Sequence, residues 1–514
     1  MLAQLSSRKG RQLARSRHAP LYLASIAIDP KRDGPLHRQL YFALRAAILE
    51  GRLPPAARLP STRSLAADLA VSRNTVLAAF DQLLAEGYVE GRVGAGSFVS
   101  RELPEEALHA RRPGPETMVA NGAASGAAAP PGPSRRGARL AALRQHGNRP
   151  RAFAPGLPEL ASFPFEDWAR LLARSWRNPP RSLLIGSEPA GYRPLREALA
   201  AHLGAARAVR CTPEQIFVVS GAQQALDLAA RVLLDPGDPV WVEEPGYPGL
   251  IGALLAGGAS IVPVPVDEEG LDVASGRRRA QGARMACVSP SHQFPLGVTM
   301  SLARRLELLE WARAARAFIL EDDYDSEYRY TGRPLAALQG LDADGRVIYV
   351  GTMSKVMFPA LRLGYMVVPR HLVDAFAAVR RRTDTHPSML VQPALAEFIK
   401  DGSLAAHIRR MRALYADRQA LLLEAARRHL GERLTLRPAE AGMHLVGHLR
   451  TGTDDLALAA RAQKLGVEVT PLAALYQERP DRSGLLLGYA GLAQGEIESG
   501  MKGLARAFDP ALAA

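Results

Sequence analysis

Lys355 closes the run Val347-Ile348-Tyr349-Val350-Gly351-Thr352-Met353-Ser354, whose β-branched and apolar residues predict a buried strand. An ammonium delivered by such a strand to a dry pocket loses its proton readily, and the neutral amine is a nucleophile for an aldehyde carbonyl. Upstream, Ala317-Phe318-Ile319-Leu320 leads into Glu321-Asp322-Asp323-Tyr324-Asp325. That places carboxylates at the C-terminal end of a strand, where open α/β sheets hold their ligands, and a buried carboxylate there needs a cation. A third segment, Gln215-Ile216-Phe217-Val218-Val219 followed by Ser220-Gly221-Ala222-Gln223, reads as strand, glycine turn and helix start. The amides of Ala222 and Gln223, at the positive end of a helix dipole, are natural anion donors.

These groups need a large framework, and 514 residues supply two or three domains. From residue 152 onward strand patterns alternate with helix patterns, which predicts an α/β domain over 152–514. Cys211 and Cys287 stand far apart, so neither a disulfide nor a metal framework is expected, and a reducing, cytoplasmic setting fits. The uncharged stretch Pro245 to Val266 is interrupted by Gly249, Gly252, Gly257, Gly258, Pro263 and Pro265. It predicts a helix, turns and a core strand, with no membrane span. Leu21 to Ile28 follows several arginines, but the apolar run is short and no small-residue cleavage site follows, so no secretion signal is expected.

Charge is concentrated at one end. Residues 1–151 carry 23 Lys and Arg against 11 Asp and Glu, whereas the remainder is nearly balanced at 42 against 40. A basic module attached to a near-neutral domain points to nucleic acid. Within 1–100, Leu40, Leu44, Ile48 and Leu49 predict a first helix. Ser61 caps a second with Leu65, Ala66 and Leu69 inward, and a third from Arg73 turns Val76, Phe80, Leu83 and Leu84 inward. Tyr88 to Val99 reads as a hairpin with a glycine tip, completing a winged helix-turn-helix of α+β type. Arg73, Asn74 and Thr75 then stand at the end of the third helix that enters the major groove. Arg63, Arg92 and Gly94 suit phosphate and minor-groove contact. Residues 101–151, rich in Ala, Gly, Pro and Arg, predict a flexible linker that spans roughly 40 Å on root-mean-square.

Pro60-Ser61-Thr62-Arg63-Ser64-Leu65-Ala66, Val71-Ser72-Arg73-Asn74-Thr75-Val76 and Leu84-Ala85-Glu86-Gly87-Tyr88-Val89 together resemble the DNA-binding domain of GntR-type bacterial regulators. The later segments come in one order: Ser220-Gly221-Ala222, Glu243-Glu244-Pro245-Gly246-Tyr247, Ser289 to Gly297, Asp322 to Tyr324, and Thr352 to Arg362. That order resembles fold-type I pyridoxal phosphate aminotransferases over roughly 152–510, and the whole chain resembles MocR-type members of the GntR family. The resemblance implies a smaller α+β subdomain beside the α/β domain, pyridoxal 5'-phosphate as cofactor, Lys355 for an internal aldimine, Asp322 for the pyridine nitrogen and Tyr324 for the phenolic oxygen. It also implies a ring stacked on Tyr247, and phosphate held by Thr352, Arg362, Ala222 and Gln223. His292 or Gln293 stands where an asparagine is usual beside the phenolic oxygen.

Two departures bear on function. The arginine that clamps a substrate carboxylate is replaced by Leu486, with Arg482 nearby in the preceding turn, and the tyrosine that reaches the partner subunit's phosphate is replaced by Ile185. The resemblance therefore implies a homodimeric transcriptional regulator that binds double-stranded operator DNA and senses an amine, an amino acid or the cofactor itself. The alternative is a working aminotransferase with an accessory DNA-binding domain.

Overall fold

Three amphipathic helices and a hairpin build the N-terminal unit: α1 (Leu36–Leu49), α2 (Thr62–Asp68), α3 (Arg73–Ala85), β1 (Val89–Arg92) and β2 (Gly96–Val99). The computed structural model describes residues 28, 34–92, 95–103, 132–143, 152–185, 188–332 and 335–509. Gly94, the stretch from Leu21 to Ala27 and most of the expected linker lie outside the described residues. Leu40, Leu44, Leu65, Val76 and Leu83 are fully buried in one cluster, each contributing about 1.5–3 kcal/mol. Leu84, expected inside, is instead 50% exposed, and Leu49, part of the apolar repeat of α1, is 40% exposed. Each neighbours a buried residue, Ile48 or Leu83, and successive helix positions diverge by about 100°, so only one of each pair faces the core.

Ser61 and Ser72 cap α2 and α3, accepting from the amides of Ser64 and Thr75 at 3.1 Å. Such caps are worth about 0.5–2 kcal/mol each. The hairpin is antiparallel, with Val89 opposite Val99, and it is pinned to the preceding segment by Leu59 N donating to Ser97 O at 2.8 Å.

The chain divides into two compact units at Ala129–Pro130. The second holds an eight-stranded sheet in the order β3-β10-β9-β8-β7-β4-β5-β6. Its strands are β3 (Ile216–Val219), β4 (Pro239–Glu244), β5 (Ser260–Asp267), β6 (Gly270–Leu271), β7 (Met285–Val288), β8 (Phe318–Asp323), β9 (Val347–Thr352) and β10 (Gly364–Val367). β4, β5, β7, β8 and β9 run parallel, β10 is antiparallel to β3 and β9, and β6 is antiparallel to β5. A four-stranded antiparallel sheet, β11 (Leu434–Leu436), β12 (His444–Leu449), β13 (Thr470–Pro471) and β14 (Gly484–Gly488), forms the smaller subdomain in the order β11-β12-β14-β13. The uncharged stretch from Pro245 resolves into the helix Pro248–Gly257 and β5. Among the described residues no helix is long and apolar enough to cross a membrane.

The linker reading needs one correction. Arg135–Ala141 forms a helix, capped by Ser134, and Arg136 donates to Ala256 O at 3.1 Å on the helix Pro248–Gly257. A serine cap and an arginine anchor order a segment whose composition argued for coil.

Candidate functional site

The site lies at the C-terminal edge of the large sheet. β8 delivers Asp322, β9 delivers Thr352 and then Lys355, and β3 runs into the helix Ala222–Leu233. Register brings them together: Asp322 pairs with Val350, and Gly364 pairs with both Thr352 and Val219. Gly221 caps the helix with φ 92°, a conformation that glycine adopts without strain, and leaves the first helical amides directed outward. Arg362 reaches back to Ser220 O at 2.9 Å, and a Cβ on Gly221 would touch its guanidinium at 3.4 Å. Ala222, Gln223 and Arg362 therefore share one small region, with Thr352 on the adjoining strand. The Gln223 side chain itself donates to Gly249 O at 2.8 Å.

The strand β8 sorts its acids by alternation. Glu321 and Asp323 point to one face, where Glu321 accepts from the amides of Leu338 and Gln339, and Asp323 from Arg207 at 2.9 Å and Tyr349 at 2.6 Å. Asp322 points to the other face, and its Oδ1 is buried with no partner among the described residues. Burial first, then the charges of Asp323 and Asp325, push its carboxyl up to about 7, while Lys355 pulls the other way. Lys355 is held below the usual lysine range by burial, against the opposing pull of Asp325 and Asp322. Its Nζ donates to Gly156 O at 2.7 Å, and at φ 76° Gly156 presents that carbonyl with no Cβ to overlap the amine.

Tyr324 lies 3.0 Å from His292 Nδ1, which in turn is 3.1 Å from both carboxylate oxygens of Asp325. In the tautomer that donates Nδ1–H to Asp325, the Tyr324 proton is available to another acceptor. His444 stacks nearly parallel to Tyr324 and is kept neutral by burial, which pushes its pKa down to about 3. Tyr247 packs edge-on to Phe294 at 5.8 Å; removal from water and the charge of Asp322 raise its hydroxyl pKa. Gln293 is the one expected contact placed elsewhere. Its amide is taken up by Pro245 O, Phe294 O and Glu243, while Leu296 N donates to its oxygen, so it does not reach Tyr324. Of that pair, His292 alone joins the cluster.

Sequence reasoning passed over Gly156, Phe294, Asp325 and His444. Phe294 and Asp325 lie inside quoted motifs and could have been singled out there; Gly156 and His444 come from remote segments with no local signal. Leu486 is fully buried with Leu472 and Leu475, and Phe294 and Val446 pack against them, so apolar contacts fill the place expected of an arginine. Arg482 donates to Val266 O at 3.3 Å. Ile185 ends the helix Arg181–Ile185 and is 63% exposed.

In the N-terminal unit, Arg63, Arg73 and Asn74 are exposed. The Thr75 hydroxyl is engaged with Ser72 at 2.8 Å, which places it in the cap. Arg92 pairs with Glu90 at 2.7 Å and lies over the Phe98 ring at 4.7 Å.

Family models match both units: bacterial regulatory proteins of the gntR family over residues 36–99, and aminotransferase class I and II over 157–500. The probable rhizopine catabolism regulatory protein MocR of Rhizobium meliloti is 45% identical, covering 94% of this chain and 96% of that protein. The chain belongs to the MocR-type regulators of the GntR family. The pyridoxine biosynthesis transcriptional regulator PdxR of Corynebacterium glutamicum is similar to this MocR-type chain at 32% identity, over 90% of this chain and 94% of that one. Among solved structures, α-aminoadipate aminotransferase LysN of Thermus thermophilus, complexed with N-(5'-phosphopyridoxyl)-L-leucine, matches with a TM-score of 0.65. It is 29% identical, covering 72% of this chain and 96% of that one. The Pyrococcus horikoshii kynurenine aminotransferase matches at 0.64 and 32% identity, over 69% and 90%.

Proposed function

We propose that this protein is a DNA-binding transcriptional regulator that holds pyridoxal 5'-phosphate and senses an amine or a B6 vitamer through Lys355. The observation that carries the reading is the buried, unpartnered Oδ1 of Asp322 in the same pocket as the Lys355 amine. A carboxylate oxygen left without a partner at that depth fits a ligand that brings its own cation. The bound cofactor supplies an aldehyde that condenses reversibly with primary amines. Asp322 would hold its ring nitrogen protonated, Tyr324 would donate to the phenolic oxygen, and Tyr247 would cover the ring face. The amides of Ala222 and Gln223, the Thr352 hydroxyl and Arg362 would neutralise the phosphate. An effector amine that displaces Lys355 changes DNA affinity only if two arrangements of the protein bind it unequally. Tenfold regulation needs only about 1.4 kcal/mol of such difference.

The apolar seat of Leu486 favours sensing over turnover. Amino-group transfer needs a substrate fixed for proton movement at its α-carbon, and a bidentate arginine is missing from the place that would fix it. Mixing the holoprotein with a panel of amino acids and following its visible spectrum tests this. Slow or no conversion is expected, and rapid conversion by a common amino acid would make the chain an aminotransferase. A homodimer is supported by the apolar residues left exposed at Leu184, Ile185 and Leu390. Equilibrium sedimentation is expected to return twice the chain mass.

At the other end, Arg73 and Asn74 would read base edges, with Arg63 and Arg92 on phosphates. Arg73→Ala is expected to cost about 1–3 kcal/mol of operator affinity with the cofactor still bound. Unchanged affinity in a gel-shift titration would remove α3 from the groove.

The acids at the sheet edge give the cofactor-free protein a pH signature. Burial raises Glu243 to about 8, and Glu321 and Asp322 to about 7. The folded chain thus retains protons that the unfolded chain releases near pH 4, so the stability these three acids contribute is fully present below that value and is lost as pH rises towards 8. The Tm of the cofactor-free protein is expected to drop between pH 5.5 and 8. Saturating pyridoxal phosphate should flatten the slope by giving Asp322 a cation; a slope that cofactor leaves untouched would remove Asp322 from the cofactor's ring.

A further inference from the structure

β7 and β8 are parallel neighbours, and the segments that leave their C-terminal ends bring His292 and Asp325 together, both buried. Both Asp325 carboxylate oxygens lie 3.1 Å from His292 Nδ1, and among the described residues that nitrogen is their only hydrogen-bond partner. A carboxylate only accepts, so Nδ1 carries the proton. The far edge of the ring does not contest this. Nε2 is buried with no partner among the described residues, and a Cβ on Gly442 would overlap the imidazole. Nothing at Nε2 selects a tautomer, and the choice falls to the carboxylate at Nδ1.

Tyr324 completes the chain of contacts. Its hydroxyl is 3.0 Å from the same Nδ1 and has no other hydrogen-bond partner among the described residues. While Nδ1 holds its proton it cannot accept the phenol's, and the Tyr324 O–H is left as an unmet donor. Were the proton on Nε2 instead, Nδ1 would be an acceptor beside the hydroxyl and would take that donor for itself. The tautomer of one imidazole therefore decides where the Tyr324 proton points.

We propose that Asp325 is a positioning residue for the cofactor's phenolic oxygen: by fixing the Nδ1–H form of His292, it keeps the Tyr324 hydroxyl free to donate to the ligand. Asp325 acts through His292 and not by contact. The role at the phenolic oxygen rests on the cofactor reading above; the fixing of the tautomer does not.

Nitrogen NMR of the cofactor-free full chain, labelled at histidine, tests the tautomer. The His292 signal, identified by its absence from His292→Asn, is expected to show Nδ1–H in wild type. It should show Nε2–H in Asp325→Leu, a replacement of similar size that offers Nδ1 no acceptor and leaves Tyr324 as its only partner. An Nε2–H ring in wild type, or a ring that the substitution leaves unchanged, overturns the proposal. Titrating the visible absorbance of the holoprotein with pH tests the consequence. Loss of the Tyr324 donor makes the phenolic oxygen more basic and raises the midpoint, whereas loss of the Asp325 charge alone lowers it. Asp322, Asp323, Glu243 and the neutral His444 act alike in every variant, so a double-mutant cycle cancels them. The midpoint shift caused by Asp325→Leu is expected to lie about one pH unit higher in wild type than in Tyr324→Phe, tenfold in the proton equilibrium. Equal shifts in the two backgrounds would reduce Asp325 to a charge and overturn the proposal alone. A wild-type chain with no cofactor band would sink the cofactor reading and the role at the phenolic oxygen with it.

Discussion

Replacing Lys355 by alanine is expected to abolish the response to effector while leaving operator affinity within about twofold of wild type, the spread typical of independent sites. The amine is the one group in the pocket able to bond covalently to an aldehyde and to be displaced by another amine. Its loss should leave the fold in place, because its neighbours are held by other contacts. Tyr328 donates to the Lys355 carbonyl, which alanine retains, and Asp322 faces the pocket from a different strand. The check is a pair of gel-shift titrations, with and without effector. A variant whose DNA affinity still moves with effector would show that sensing bypasses this residue, whereas one that no longer binds DNA at all would tie the lysine to the architecture of the protein.

Asp322→Ala should weaken pyridoxal phosphate by about two to three and a half orders of magnitude, since breaking a buried charge pair costs about 3–5 kcal/mol. The same substitution has an opposite effect on the cofactor-free protein. It removes a carboxyl that burial has driven to about 7 and whose Oδ1 has no partner, so at pH 8 the apoprotein is expected to melt higher than wild type. Asp323→Ala supplies the contrast: it strips Arg207 and Tyr349 of a shared acceptor and should lower the Tm of apo and holo forms alike. Absorbance titration with cofactor and thermal melts of both variants separate the roles. Equal cofactor affinity in Asp322→Ala and wild type would refute the assignment.

The architecture was legible because its signals were local. Serine caps, β-branched runs and a glycine turn predicted α2, α3, β9 and the helix after β3 within a residue or two. Inward faces were less secure: Leu49 and Leu84 are as apolar as their neighbours, and only the tilt of each helix against the others decides which is covered. The choice between Asp322 and Asp323 could not be made from parity alone, because nothing in the sequence says where β8 stops being regular; it stays regular through Asp323. His292 and Gln293 posed the same difficulty in a loop, where backbone geometry sent the glutamine amide to Pro245 and the imidazole to Tyr324. Gly156 and His444 join the site across 199 and 89 positions of chain from Lys355, separations over which no periodicity carries information.

The hydrocarbon around Leu486 has an evolutionary corollary. Placing an arginine there would put a guanidinium among Leu472, Leu475, Phe294 and Val446, at the cost of burying an ion in hydrocarbon. One codon change would damage the fold before it conferred an activity, and recovering an enzyme would require several of these neighbours to change in concert. The packing around Leu486 therefore acts as a barrier against acquiring a carboxylate clamp at this place by a single substitution.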